Sequence, residues 1–248
     1  GVTEPPALSV VIPAYEEAAR LPGTLAALGS WGRSWGKGGV EIIVVDDGSS
    51  DGTSEIAEAW RGEGGLEARV IRAAHRGKGA SVARGMTAAT GSVRAFMDAD
   101  LAVPVETLET VVDGVLSGAD VVIGSRELQG SSREAEPRLR HLLGRIFNRL
   151  VSSLAVRGIP DTQCGFKGFS ATAAEEVFSR IRLYPPDGRT VAKSRVTGFD
   201  VELLAIAQTL GLQIAQIPVE WRHVERSKVR PVPDALSMAW DVLRVRWH

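Results

Sequence analysis

Five short, nearly uninterrupted apolar runs rich in β-branched residues, at 8–12, 40–45, 68–71, 93–97 and 119–123, alternate with segments of helical period at 17–28, 53–60, 80–89 and 107–116. A strand that reads as continuously apolar is buried on both faces, and alternation with helices supplies the layers that bury it. The pattern predicts an α/β fold: a doubly wound, mostly parallel sheet in a single domain. The length of 248 residues, with 44% apolar and 24% charged side chains, fits one such domain and excludes disorder, collagen and coiled coil. The longest apolar runs fall far short of the roughly 20 residues that span a bilayer. The chain is therefore expected to be soluble; it opens at Gly1 rather than Met, which suggests a trimmed chain whose anchor, if it has one, lies beyond its ends.

Ligands of parallel sheets bind at the carboxyl ends of the strands, and here those ends are acidic. Pro13-Ala14-Tyr15-Glu16-Glu17 follows the first run, Asp46-Asp47-Gly48-Ser49-Ser50-Asp51-Gly52-Thr53 the second, and Asp98-Ala99-Asp100 the fourth. Helix capping accounts for Asp51 and Thr53. It does not account for adjacent Asp46 and Asp47, or for a second carboxylate pair at another strand end, and like charges crowded in this way call for a cation among them. An Asp-x-Asp pair suits Mg²⁺ or Mn²⁺, hard cations that take carboxylate oxygens and keep positions open for phosphate. Neither GxGxxG nor GxxxxGK[ST] occurs, which argues against dinucleotide or P-loop ATP binding. Gly77-Lys78-Gly79 at a helix start offers amides and an ammonium to a phosphate, or is an ordinary turn.

The net charge of −1 conceals a division. Residues 1–124 carry 10 Lys and Arg against 17 Asp and Glu (net −7), and residues 125–248 carry 19 against 13 (net +6). The acidic half suits a cation and the basic half an anion. In the second half, a helix predicted over 137–155 carries Arg138, His141, Arg145 and Arg149 along one stripe, either a solvated face or an anion site. A helix is also predicted near 200–210, a strand near 214–219, and an amphipathic helix over 234–247 that packs on the domain or lies on a membrane surface. The single cysteine, Cys164, excludes an internal disulfide and a cysteine metal cluster and fits a reducing compartment. No partner base is indicated for it, so it reads as a small buried residue. His75 and His141 read as surface or rim residues, and Trp221 lies in a segment facing the proposed site.

Residues 10–17, 46–53, Arg76-Gly77-Lys78-Gly79 with Arg84-Gly85, and Asp98-Ala99-Asp100, in that order, resemble the inverting family-2 glycosyltransferases of GT-A fold. Gly124-Ser125-Arg126, Asp161-Thr162-Gln163-Cys164-Gly165-Phe166-Lys167, Gly198-Phe199-Asp200-Val201-Glu202 and Ser227-Lys228-Val229 look more narrowly like the polyprenyl-phosphate sugar transferases, the dolichyl-phosphate β-glucosyltransferase branch above all. The resemblance spans residue 8 to about residue 229 and implies a single catalytic domain, with a nucleotide- and metal-binding half over 1–124 and an acceptor half over 125–248. It implies that Pro13, Ala14, Tyr15 and Glu17 line the base and ribose with Asp47 close by, and that Asp98 and Asp100 hold Mg²⁺ or Mn²⁺. Mannosyl-transferring relatives often carry glutamine two positions after the second Asp; Ala102 stands here, which turns the expected donor away from GDP-mannose and leaves His223 as a replacement metal ligand.

A hydroxyl acceptor requires a general base, for which Asp200 or Glu202 is the candidate, or else these are first-turn acids of a helix. A phosphate acceptor is already anionic and needs cations instead: Arg126, Arg138, Lys167 and Lys228. The expected reaction is metal-dependent, inverting transfer of a hexose, glucose from UDP-glucose, to a polyprenyl phosphate at a membrane surface. The chain would sit peripherally at the cytoplasmic face and have no nucleic-acid partner. The alternatives are a GDP-mannose donor, a glycan hydroxyl acceptor, or a nucleotide-sugar-binding module without turnover.

Overall fold

The computed structural model describes residues 4–60, 66–134, 156–187 and 198–222. Strands β1 (Leu8–Ala14), β2 (Val40–Asp46), β3 (Glu67–Arg72), β4 (Val93–Phe96) and β5 (Val121–Ser125) coincide with the five apolar runs. Between them run α1 (Leu21–Ser34), α2 (Thr53–Ala59), α3 (Lys78–Ala88) and α4 (Thr107–Leu116). The second half adds β6 (Ser132–Glu134), β7 (Lys167–Ser170), α5 (Ala171–Phe178), α6 (Phe199–Thr209), β8 (Ile214–Pro218) and β9 (Glu220–Arg222). The predicted helices over 137–155 and 234–247 fall outside the described residues, as do Arg138, His223 and Lys228. Among the described residues no helix is long and apolar enough to cross a membrane.

The main sheet has seven strands in the order β3-β2-β1-β4-β7-β5-β8. All neighbours are parallel except β7, which runs antiparallel to both β4 and β5. Alternate residues of each central strand point to opposite layers. Val10, Ile12, Ile42 and Val44 pack with Leu21, Leu25 and Leu28 of α1 and Leu108, Val111 and Val112 of α4. Val11, Ile43 and Val45 pack with Val82, Ala83 and Met86 of α3, Val177 of α5 and Leu203 and Leu204 of α6. Both faces are dry, and so the runs read as continuous rather than alternating. Strand β7 escapes the apolar signal because Lys-Gly-Phe-Ser offers one large apolar side chain; pairing on both sides makes it a strand.

Chain order reverses at β1, which has β2 on one side and β4 on the other. This is the switch point at which an open α/β sheet leaves a crevice for ligand. The register sets Ala14 beside Asp46 and Val11 beside Phe96, so the three strands deliver their carboxyl ends to one rim. Helix α3 lies close under that rim because Gly85 lacks a side chain: a Cβ there would lie 2.3 Å from Val11 Cγ1 and 2.9 Å from Val45 Cγ2. Gly85→Ala should therefore lower stability by about 1–3 kcal/mol through overpacking, read as a reduced denaturant midpoint with unchanged m-value.

Candidate functional site

The rim carboxylates find partners in different directions. Asp46 accepts the Ser49 amide at 2.9 Å and the Ser54 hydroxyl. Asp47 accepts the amides of Arg76 and Gly77, each at 2.8 Å, and faces His75 Nδ1 at 2.7 Å. The two adjacent aspartates are thus satisfied by hydroxyl, amide and imidazole groups, and the expectation that they need a cation between them is corrected. Asp51 accepts the amides of Ala18 at 3.0 Å and Thr53 at 3.1 Å, lacing the loops after β1 and β2 together. Glu16 joins the same lacing, its carboxylate taking the Ser50 amide at 2.8 Å. Its φ of +53°, unusual for a residue with a side chain, is held by its own amide donating a hydrogen bond to Ser49 Oγ at 2.9 Å.

Of the residues expected to line a base, Pro13 and Ala14 end β1, and Tyr15 stacks on His75 with ring centroids 4.0 Å apart and planes 14° apart. Glu17 ion-pairs Arg20 at 2.5 Å, and its amide donates to Thr53 Oγ1 at 2.9 Å. His75, expected to be a rim residue, is only 14% exposed and forms one slab with Tyr15, fixed from behind by Asp47. A histidine two residues before a glycine turn gave no sequence signal of that stacking.

Asp98 and Asp100 lie just beyond β4, at the switch point. Their loop is pinned by Thr24 Oγ1 donating to Ala99 O at 2.7 Å and by the Ala102 amide on Asp100 Oδ1 at 3.0 Å; Leu101 between them has φ +55°. The Arg222 amide donates to Ala102 O at 2.9 Å, which ties β9 to this loop. Burial and the neighbouring Asp98 charge both push the Asp100 carboxyl above its ordinary pKa. Lys78 Nζ lies 2.5 Å from Asp98 Oδ1. A pair of hard carboxylate donors, one of them disfavoured as an anion by its neighbour, is a donor set that fits Mg²⁺ or Mn²⁺.

The segment 161–167 meets this loop from below. A Cβ on Gly165 would fall 2.1 Å from Asp98 Oδ2, so the carboxylate seats in the space that the missing side chain leaves. Asp161, fully buried, accepts Arg126 through its amide at 2.9 Å and through Nε and Nη2 at 2.8 and 2.9 Å. The Arg126 guanidinium, 18% exposed, also lies 5.8 Å from the centre of the Trp221 ring. Lys167 is wholly buried, its ammonium bonded to Cys164 O and Asp200 Oδ1, both at 2.5 Å. The expectation that Lys167 reaches an acceptor phosphate is corrected to a lysine that ties this segment to α6. Glu202 accepts the amides of Arg182 at 2.7 Å and Leu183 at 2.9 Å. Burial, with the Asp161 charge, pushes the Cys164 thiol up to about 11, which leaves it protonated at neutral pH, as expected of a small buried residue.

Burial alone would raise the Asp161 carboxyl, yet the Arg126 guanidinium holds it down to about 2. Against about 3.9 in the unfolded chain, the lower folded value contributes about 2–3 kcal/mol, complete above pH 4 and lost as pH falls through about 2. Chemical denaturation between pH 7 and pH 2 should show Asp161→Asn less stable than the wild type at neutral pH, with the gap narrowing below pH 4.

The family model for Glycosyl transferase family 2 matches residues 9–178. The dolichyl-phosphate β-glucosyltransferase of Homo sapiens is 36% identical over 252 residues, 96% of this chain and 74% of that protein. Its Dictyostelium discoideum counterpart is 32% identical over 253 residues, 97% of this chain and 74% of that one. Among solved structures, glucosyl-3-phosphoglycerate synthase from Mycobacterium tuberculosis, in complex with Mn²⁺, UDP and glucosyl-3-phosphoglycerate, superposes with a TM-score of 0.68 at 22% identity. The match covers 97% of this chain and 78% of that one, and it carries the likeness of fold.

Proposed function

Since the chain belongs to glycosyl transferase family 2 and is a glycosyltransferase of GT-A fold, we propose that it transfers a hexose to a dolichyl or related polyprenyl phosphate. The donor is UDP-glucose and the anomeric carbon is inverted. Identity of 32–36% to dolichyl-phosphate β-glucosyltransferases over nearly the whole chain supports the acceptor class and the sugar. Residues 1–248 act as one catalytic domain, the first 124 residues serving the donor and the remainder the acceptor.

One observation carries the choice of a phosphate over a hydroxyl acceptor. Asp200 is ion-paired with Lys167, and Glu202 is bonded to two backbone amides. A hydroxyl acceptor would need one of these carboxylates as its base; a phosphate, anionic at neutral pH, needs a cation to steer it. Arg126 is assigned that task as the cation, its guanidinium oriented by the two bonds to Asp161 and by the Trp221 ring. Arg138 and Lys228 belong to the same basic half and are assigned to the same anion.

On the donor side, the Tyr15 and His75 slab, with Pro13, Ala14, Glu17 and Asp47 around it, receives the nucleoside, and Lys78 meets the diphosphate. Asp98 and Asp100 hold the divalent cation, with His223 as a third ligand in place of the glutamine for which Ala102 stands. When bound, the cation offsets the charge developing on the departing diphosphate. The lipid carrier brings the enzyme to a membrane surface, at the cytoplasmic face.

Transfer of labelled glucose from UDP-glucose to dolichyl phosphate should require Mg²⁺ or Mn²⁺. It should fall about 100-fold or more in Asp100→Asn, with the thermal midpoint little changed. Transfer from GDP-mannose alone would overturn the donor, and full activity in Asp100→Asn would overturn the cation site.

A further inference from the structure

Asp98 and Lys78 are assigned to different ligands, one to a cation and the other to a diphosphate, yet in the structure they hold each other. Lys78 Nζ lies 2.5 Å from Asp98 Oδ1. A carboxylate oxygen occupied by an ammonium is less available to a divalent cation, and two positive centres on one carboxylate repel each other.

The mounting of Lys78 restricts how that conflict can be relieved. Gly77, at φ +94°, donates its amide to Asp47 Oδ2 at 2.8 Å and accepts the Ser81 amide at 3.2 Å. Gly79 has no room for a side chain, because a Cβ would meet the Phe199 ring at 2.9 Å. With its backbone held on both sides, Lys78 can leave Asp98 only by its side chain, which is 37% exposed. The ammonium must therefore be drawn off Asp98 before a cation can take both carboxylates.

We propose that Lys78 couples cation binding to nucleotide binding: its ammonium competes with a divalent cation for Asp98, and a nucleoside diphosphate, by drawing the ammonium onto its phosphate oxygens, frees Asp98 for the cation. The coupling rests on the assignment of Asp98 and Asp100 to the cation. It is reciprocal, so the cation raises nucleotide affinity by the same factor.

Free Mn²⁺ measured by electron paramagnetic resonance over the full chain, alone and with UDP or GDP, tests the coupling without any turnover. In the wild type the nucleotide that binds should raise Mn²⁺ affinity by about tenfold or more. Lys78→Met should bind Mn²⁺ alone more tightly than the wild type and gain less from the nucleotide; Lys78→Gln serves as the second variant if the methionine protein does not fold. Mn²⁺ alone binding no more tightly to the variant, or an equal nucleotide factor in both proteins, would overturn the coupling and leave the cation site standing. No Mn²⁺ binding to the wild type, with or without nucleotide, would overturn the cation site and the coupling with it.

Discussion

A carboxylate withdrawn from water must find donors or a counter-charge, and the arrangement of this site follows from how each of its acids meets that demand. Asp46 and Asp47 take amides, hydroxyls and an imidazole, and in doing so set the loops after β2 and β3. Asp161 takes a guanidinium and Asp200 an ammonium, which fixes the 161–167 segment to β5 and α6. Glu202 takes two backbone amides. Asp98 and Asp100 differ in kind. Their partners are a turn amide and the ammonium at the tip of Lys78, a group on a flexible stem. The acids satisfied by rigid donors build the scaffold, and the pair served by a movable cation is the pair suited to exchange it for a ligand.

The sheet makes that distinction consistent in space. Because β1 stands at the reversal of chain order, the loops that follow β1, β2 and β4 converge on one crevice, and the Asp-x-Asp loop enters it from β4. Strand β7 then inserts antiparallel beside β4, which carries Gly165 to the Asp98 carboxylate and turns Lys167 inward to Asp200. The Asp-x-Asp loop and the buried Lys167–Asp200 pair are joined by this one short strand.

The five strands and four helices of the first half are legible in the sequence because burial on both faces leaves continuous apolar runs that little else produces. Asp98 and Asp100 are legible for a related reason, being polar residues immediately after such a run. What escaped detection depends on contacts between distant segments. Asp46 and Asp47 look like an unbalanced charge pair until the loop at 75–77 brings its amides and imidazole to Asp47. Lys167 looks like a phosphate ligand until the pairing of β7 buries it against Asp200. His75 gains its meaning from Tyr15, sixty residues away in the chain and 4.0 Å away in space. Composition and local spacing hold no record of such meetings.

The central claim is that the carboxylate pair after β4 is the cation site of the donor pocket. Anomalous diffraction at the manganese edge, from crystals of the protein grown with Mn²⁺ and UDP, tests it most directly. The account predicts a manganese peak about 2 Å from oxygens of Asp98 and Asp100, with the Lys78 ammonium moved from Asp98 to the diphosphate. Nucleotide bound with manganese elsewhere would contradict it.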